Sequence, residues 1–501
     1  MSLPQSSEEP TKTHTKQPKS LSIFFLTEMW ERYGFYALQG TLAFFLTQQF
    51  GFSDAMTDAT IGTFIAMIYI APILGGFIAD KLLGFKHTII LGGLILCLGY
   101  SLLATTTDFT LVTIYFGCIA IGTGLLKANV SSLLGRIYQE NDPRRDSGFT
   151  IFYVGINSGT LIAMGASGYI VEYLGWHWNF GIAAMGMILS VGSFITGCRL
   201  FDIENAQKIS TSALKIFFAY GMAAICIGVC AILLKLEDVA TWVFAIAVIL
   251  SFVAIIYSGL SETKKQRRRL GAFILLGILH CLFWAVYNQM FISFNLFISR
   301  AVVPNILGLH LPAPVFMGFE ALGVIFFGGI FSHLWIRLSK TRFNPSTPTK
   351  FAISFLFIAL ALAVLLGAMK ITDPQSQLSP FWILLFYLIV AFGELCISPI
   401  GLAMVTRIAT PRLVGVMMGV WFFTIGIGGK IAGYIATLAA IPSDLHTLPE
   451  IKLIYQHAFE KFFCLAVATF ILAVLLIPII RYLISGRFSG IGVGNSKDVQ
   501  C

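Results

Sequence analysis

Apolar runs of about twenty residues recur along nearly the whole chain, each broken by a short polar stretch, and this repetition constrains the fold more than any other feature. A helix of that length crosses the hydrocarbon core of a bilayer while satisfying its own backbone hydrogen bonds. The runs span 22–49, 59–80, 87–106, 110–133, 148–171, 177–200, 213–235, 239–260, 270–298, 315–337, 350–369, 380–405, 412–439 and 459–484. Only 11% of the 501 residues are charged and the mean hydropathy is +0.84. A soluble chain carries about a quarter charged residues. The reading is an all-α polytopic membrane protein with about 14 transmembrane helices.

The net charge of +9 is concentrated in loops between the runs, which points to membrane orientation rather than nucleic acid. Lys12, Lys16 and Lys19, then Lys81 and Lys86, then Arg136, Arg144 and Arg145, fall in alternate loops. So do Lys208 and Lys215, the run 264–269, Arg337 to Lys350, Arg407 with Arg412, and Arg481 with Arg487. The loops between them carry few bases, so both termini are expected in the cytoplasm. The run 264–269 reads as a basic linker between two halves, with anionic lipid as its other possible partner.

Six runs precede the pair 213–260 and six follow it. This suggests a cytoplasmic tail (1–20), a six-helix bundle (21–200), an inserted helix pair with linkers (201–269), a second six-helix bundle (270–485) and a flexible tail (486–501). No cleavable signal peptide is evident. The nine cysteines lack metal-ligand spacing and read as small buried hydrophobes.

Charges inside the runs carry the functional signal, because a charge near the bilayer centre needs a partner or a wet cavity. In the first run, Glu28, Glu31, Arg32, Phe35, Tyr36 and Gln39 share one helix face. Lys127, deep in the fourth, is expected to meet Glu28 and Glu31. Glu394 has Ser398 one turn on and Pro399 as a helix-loosening point, and it suits a substrate amine. Glu320 fits either a buried site or an exposed outer end. His280, Trp284 and Asn288 form a stripe in the run 270–298, where His280 is either a packing histidine or a proton relay. Lys430 reads as a snorkelling charge. Tyr36, Tyr69, Tyr153 and Trp421 are aromatics able to line a pocket. The loop 75–87 carries Asp80, expected to latch onto basic groups or a facing helix terminus. No HExxH, Walker A or GxSxG motif is present, so the chain is not expected to be an enzyme.

Glu28-x-x-Glu31-Arg32 followed by Tyr36 resembles the ExxER signature of the proton-dependent oligopeptide transporters, within the major facilitator superfamily. Gly75 to Lys86, Lys127-Ala-Asn, Asn141-Asp-Pro-Arg, Phe149-Thr with Tyr153 and Asn157, Gly393-Glu394-Leu-x-x-Ser398-Pro399 and Met404 to Trp421 follow in the family's order. Tyr36 to Gly40 and the inserted pair look most like the bacterial di- and tripeptide permeases. The resemblance implies symport of protons with di- or tripeptides across the inner membrane by alternating access, without cofactor, nucleic acid or obligatory partner subunit, by a monomer. It implies that Arg32 and Lys127 attract the peptide carboxylate, and that Glu394 with Ser398 meets the amine. Tyr36, Tyr69, Tyr153, Asn157 and Trp421 would line the pocket, while Glu28 and Glu31 couple protons through Arg32 and Lys127. Gln39, Ala37, Ser158, Asn288 and Glu320 depart from the common family pattern, and Asn288 stands where many relatives have an acid. The alternatives are a related carrier of another small charged solute, such as an amino acid or amine, and a non-transporting receptor or lipid enzyme.

Overall fold

The structure, a computed structural model, describes residues 16–138, 144–201, 212–409, 414–442, 445 and 447–486. The motif residues 141–143, Lys208, Arg412 and most of both tails lie outside the described residues.

Side-chain caps mark several helix starts, as expected where the first backbone donors lack partners. Ser53, Asp108, Ser212 and Thr263 each accept a hydrogen bond from a backbone N–H two or three residues on. In chain order the helices are α1 (Leu21–Phe44), α2 (Asp54–Ile78), α3 (Phe85–Leu103), α4 (Phe109–Arg136), α5 (Arg145–Leu174), α6 (Trp176–Leu200), α7 (Ala213–Lys235) and α8 (Glu237–Leu260). There follow α9 (Lys264–Tyr287), the short α10 (Ser293–Ala301), α11 (Ala313–Ser339), α12 (Thr347–Ile371), α13 (Pro380–Ile408), α14 (Val414–Ala436) and α15 (Leu448–Ser485). A two-stranded turn, β1 (Asn305–Ile306) with β2 (Leu309–His310), joins α10 to α11.

Among the described residues, thirteen segments are long and apolar enough to cross a membrane, α9 and α10 counting together. The 24-residue α1 is set apart by its three buried charges and makes the fourteenth helix of the membrane domain.

Within the first bundle α1 lies against α5 and α6, and α3 against α4 and α6. Within the second, α12 packs on α13 and α15, α11 on α13, and α14 on α9. The inserted pair leans on the outside of these bundles, α7 against α4, and exposes Phe217, Trp242 and Tyr257. This is an arrangement of two six-helix bundles with an inserted hairpin.

Three details correct the sequence reading. The basic run 264–269 is not a linker: it forms the first turns of α9, where the Arg267 guanidinium donates to the carbonyls of Gly259, Leu260 and Glu262. The second bundle therefore begins at Lys264 rather than 270. The run 270–298 is not one helix, because a 3₁₀ turn at Asn288–Phe291 separates α9 from α10. Lys430 does not snorkel: it is buried, donates to the Thr63 hydroxyl (2.8 Å) and pairs with Glu237 of the inserted pair.

The bundles meet closely at one end. Gly62 on α2 and Gly433 on α14 touch so tightly that a Cβ on Gly62 would lie 2.9 Å from the Gly433 Cα. Beside them the Arg300 guanidinium grips Asp54 with two hydrogen bonds of 2.6 and 2.8 Å, and Asp54 also accepts from the Ile441 N–H. Tyr169 donates to the His310 carbonyl, and Asn295 to that of Gly40. Toward the other end, α4 and α13 pack chiefly on helices of their own bundles. Lys127, Tyr153 and Glu394, left partly or fully accessible between the bundles, mark a space that is closed at the end bearing Asp54 and Arg300.

Candidate functional site

The first wall of that space is built by α1, α2, α4 and α5. Gly159 of α5 lets α1 approach closely, since a Cβ there would sit 2.2 Å from the Met29 carbonyl oxygen. The approach buries the charged face of α1: Glu28, Glu31 and Arg32 are each at most 2% exposed. Arg32 holds Glu31 through Nη2 at 2.6 Å, and its Nε lies 3.5 Å from Glu28 Oε1. The other Glu28 oxygen is buried without a hydrogen-bond partner. Gly124 similarly brings α4 onto Ala71 of α2, and Lys127 then projects over the Tyr69 ring at 5.1 Å. Lys127 lies within the electrostatic reach of Arg32, Glu31 and Glu28, and no carboxylate stands within ion-pair distance of it among the described residues. Arg32 itself stacks on Phe35 at 4.7 Å. Two cations and two acids thus share one wall, with Lys127 half-buried and directed at the space.

The facing wall comes from α9, α11 and α13. Glu394 is half-buried and accepts a 2.9 Å hydrogen bond from the Tyr287 hydroxyl. Ser398, one turn on, has a buried hydroxyl oxygen with no partner. Glu320 is buried at 6% exposure, which decides between the two placements left open by the sequence. Its carboxyl lies against Glu394 and Tyr287. Tyr36 reaches across from α1 and meets the Phe291 ring at 6.3 Å, which in turn packs on Tyr287. Tyr153 and Asn157 of α5 are accessible, and Tyr153 lies within the field of both Glu394 and Glu320.

Some expected pocket residues stand back from the space. Trp421 is 1% exposed, stacked on His280 (4.1 Å between ring centres) and packed against Phe273 and Phe351. His280 bonds both the Thr424 hydroxyl (2.7 Å) and the Trp284 indole N–H (2.8 Å), so both ring nitrogens have partners within the protein. Asn288 donates to the Trp284 carbonyl and is buried. Gln39 is buried with its amide oxygen unpaired. Asp80 is exposed. Tyr287 and Phe291 were not singled out in the sequence, because an aromatic in an apolar helix carries no signal until its hydroxyl is seen to meet a carboxylate. A groove lined by Gln17, Lys19, Phe25 and Phe201 lies beside the start of α1 and contains none of the charged site.

A family profile described as "PTR2: POT family" matches residues 86–451. The chain belongs to the POT family. It is 32% identical over 482 residues to the dipeptide and tripeptide permease B of Xenorhabdus bovienii (strain SS-2004), covering 93% of this chain and 96% of that one. The dipeptide and tripeptide permease A of Citrobacter koseri is 34% identical over 471 residues, covering 92% of each. Among solved structures, a peptide transporter POT in complex with sulfate superposes with a TM-score of 0.82 at 27% identity, over 95% of this chain and 97% of that one. A bacterial homologue of the human drug peptide transporters gives 0.80 at 27% identity, over 93% and 99%. Another POT neighbour, PepTSo2, was crystallised as a tetramer (TM-score 0.82, 26% identity, 93% and 99% covered). As a POT-family member the chain is a polytopic membrane transporter.

Proposed function

We propose that this chain is a proton-coupled symporter that imports di- and tripeptides across a bacterial inner membrane by alternating access, with both termini in the cytoplasm. The observation that carries the reading is the polarity across one space: Arg32 and Lys127 on one wall, Glu394 with its Tyr287 donor on the other. A peptide zwitterion matches that polarity whatever its side chains are, and the permease names of the relatives agree with it. With the termini placed inside, the end sealed by Asp54 and Arg300 faces outward, and the conformation is the inward-open one.

In this reading Arg32 and Lys127 take the peptide carboxylate, Glu394 the ammonium with Ser398 nearby, and Tyr36, Tyr69, Tyr153 and Asn157 line the pocket. Trp421 supports the wall from behind. Glu28 and Glu31 occupy Arg32 when the site is empty; a proton on either acid frees Arg32 and Lys127 for the carboxylate. Closure of the two bundles around a neutralised site then follows. Coupling requires that the inward and outward states differ in affinity for proton and peptide. No cofactor enters this cycle, which the proton gradient drives, and one chain holds the whole site, so a monomer suffices.

Uptake of a labelled dipeptide into proteoliposomes under an imposed inward proton gradient tests the proposal. Accumulation that collapses on adding a protonophore is expected. Accumulation indifferent to the protonophore would refute coupling, and no uptake of any di- or tripeptide would refute the substrate class. Glu320 favours a second reading, a carrier of another small cationic solute such as an amino acid or amine; competition between that solute and peptides separates the two.

A further inference from the structure

The second wall carries one more carboxyl group than one amine requires. Glu320 and Glu394, on different helices, turn their carboxyls toward each other, and no basic residue pairs with either among the described residues. One Glu320 oxygen is fully buried and has no hydrogen-bond partner. Two neighbouring carboxyl groups in a membrane interior either share a proton or meet a positive charge.

A cluster of aromatic rings adjoins the pair through Tyr287. Tyr287 donates to Glu394, Phe291 packs against Tyr287 at 6.5 Å, Trp284 at 4.8 Å, and Tyr36 closes the group from α1. Ring faces beside carboxylates are the environment that holds organic ammonium groups. One turn before Glu320, the Met317 side chain reaches Gly40 of α1, which Met164 of α5 also flanks.

We propose that Glu320 and Glu394 together form a subsite for two ammonium groups, selecting peptides whose first residue carries an amine on its side chain in addition to the free amino terminus. Glu394 meets the terminal ammonium, and Glu320 the side-chain ammonium reaching deeper toward Met317. This rests on the peptide-transport reading above and adds a preference to it.

Lys-Ala and Ala-Lys have the same composition and net charge and differ only in which end holds the second ammonium. Binding of Lys-Ala, Ala-Lys and Ala-Ala to the purified full-length protein, measured by calorimetry, therefore isolates the subsite. Lys-Ala is expected to bind about tenfold more tightly than either other peptide, a difference of about 1.4 kcal/mol. In Glu320→Gln the ratios should fall to within about twofold, since the amide keeps the shape and removes the charge. A thermal-melting curve of the variant establishes that it is folded, and Glu320→Asp, which retains the carboxylate, should recover part of the preference.

Equal affinities in the wild type, or a Lys-Ala preference that survives Glu320→Gln, would overturn the proposal. So would a variant that changes only the number of protons taken up with Ala-Ala, because the pair would then hold a proton alone. If Ala-Ala binds and is transported while Lys-Ala shows no advantage, the subsite fails and the transport reading stands. If none of the peptides binds, both fail.

Discussion

On α1 and α4 opposite charges sit side by side; on α11 and α13 like charges do. The first wall is nearly self-neutralising, with Arg32 between Glu28 and Glu31 and Lys127 alongside. The second offers two carboxyls and only hydroxyl and ring partners. A self-neutralised wall can release a cation only if something else, a proton, takes its place on the acid. A wall of two carboxyls needs no such release and takes up a proton or a cation directly. On the proposed function, coupling chemistry belongs to the first wall and cation selection to the second.

The strongest attempt to break this comparison is Arg32→Ala, which leaves Glu28 and Glu31 buried without their counter-ion. Removing one member of a buried, hydrogen-bonded charge pair costs ~2–5 kcal/mol. Uptake should fall by at least about thirtyfold; a proteoliposome assay at matched reconstitution checks it, and near wild-type rates would remove Arg32 from the mechanism. Arg32→Lys should recover little, because an ammonium cannot reproduce the two-pronged contact with Glu31.

Glu394→Gln should act next most strongly, and on one class of ligand. Affinity for peptides with a free amino terminus is expected to drop about tenfold, in line with a hydrogen bond to a charged group. N-acetylated peptides, already weak, should bind alike to both proteins. Equal losses for the two classes would show that Glu394 acts structurally.

The walls face each other only while the closed end stays closed. Asp54→Asn removes one charge from the Arg300 bridge between the bundles. Spin labels at the exposed positions Gly51 and Leu307, in a cysteine-free background, should show a broader distance distribution in this variant. The reciprocal exchange of Asp54→Arg with Arg300→Asp should narrow it again. An unchanged distribution would mean that the glycine contact at Gly62 and Gly433 holds the end alone.

The smallest effect is expected at Lys430. Lys430→Met should lower Tm slightly, because Glu237 keeps the Thr63 hydroxyl as a donor and loses only its counter-ion. Adding Glu237→Gln should recover most of the loss, because it removes the carboxylate left without its counter-ion. Failure of the double variant to recover would show that the contact matters for more than charge balance.

How much of this was legible beforehand depended on how far each residue's environment is local. The face shared by Glu28, Glu31 and Arg32 follows from helical spacing alone. The burial of Glu320 does not, because its position near the start of a helix suits solvent as well as protein. His280 looked ambiguous for the same reason: whether a histidine relays protons depends on Thr424 and Trp421, which lie far away in the chain. The basic run at Lys264 was misread as a linker because charge density hides helix propensity, which its Thr263 cap and lysine and arginine content in fact favour. Lys430 was misread because its acid comes from a helix almost two hundred residues distant.

The sequence by itself determined most of the spans, the family and the charged face of α1, since hydropathy and spacing are properties of short windows. Tertiary structure alone decided that Glu320 meets Glu394, that Arg300 meets Asp54 and that Trp421 stands behind the wall. Each of those depends on how helices from different parts of the chain are brought together, and in a membrane the partner of a buried charge is set by which helices pack side by side.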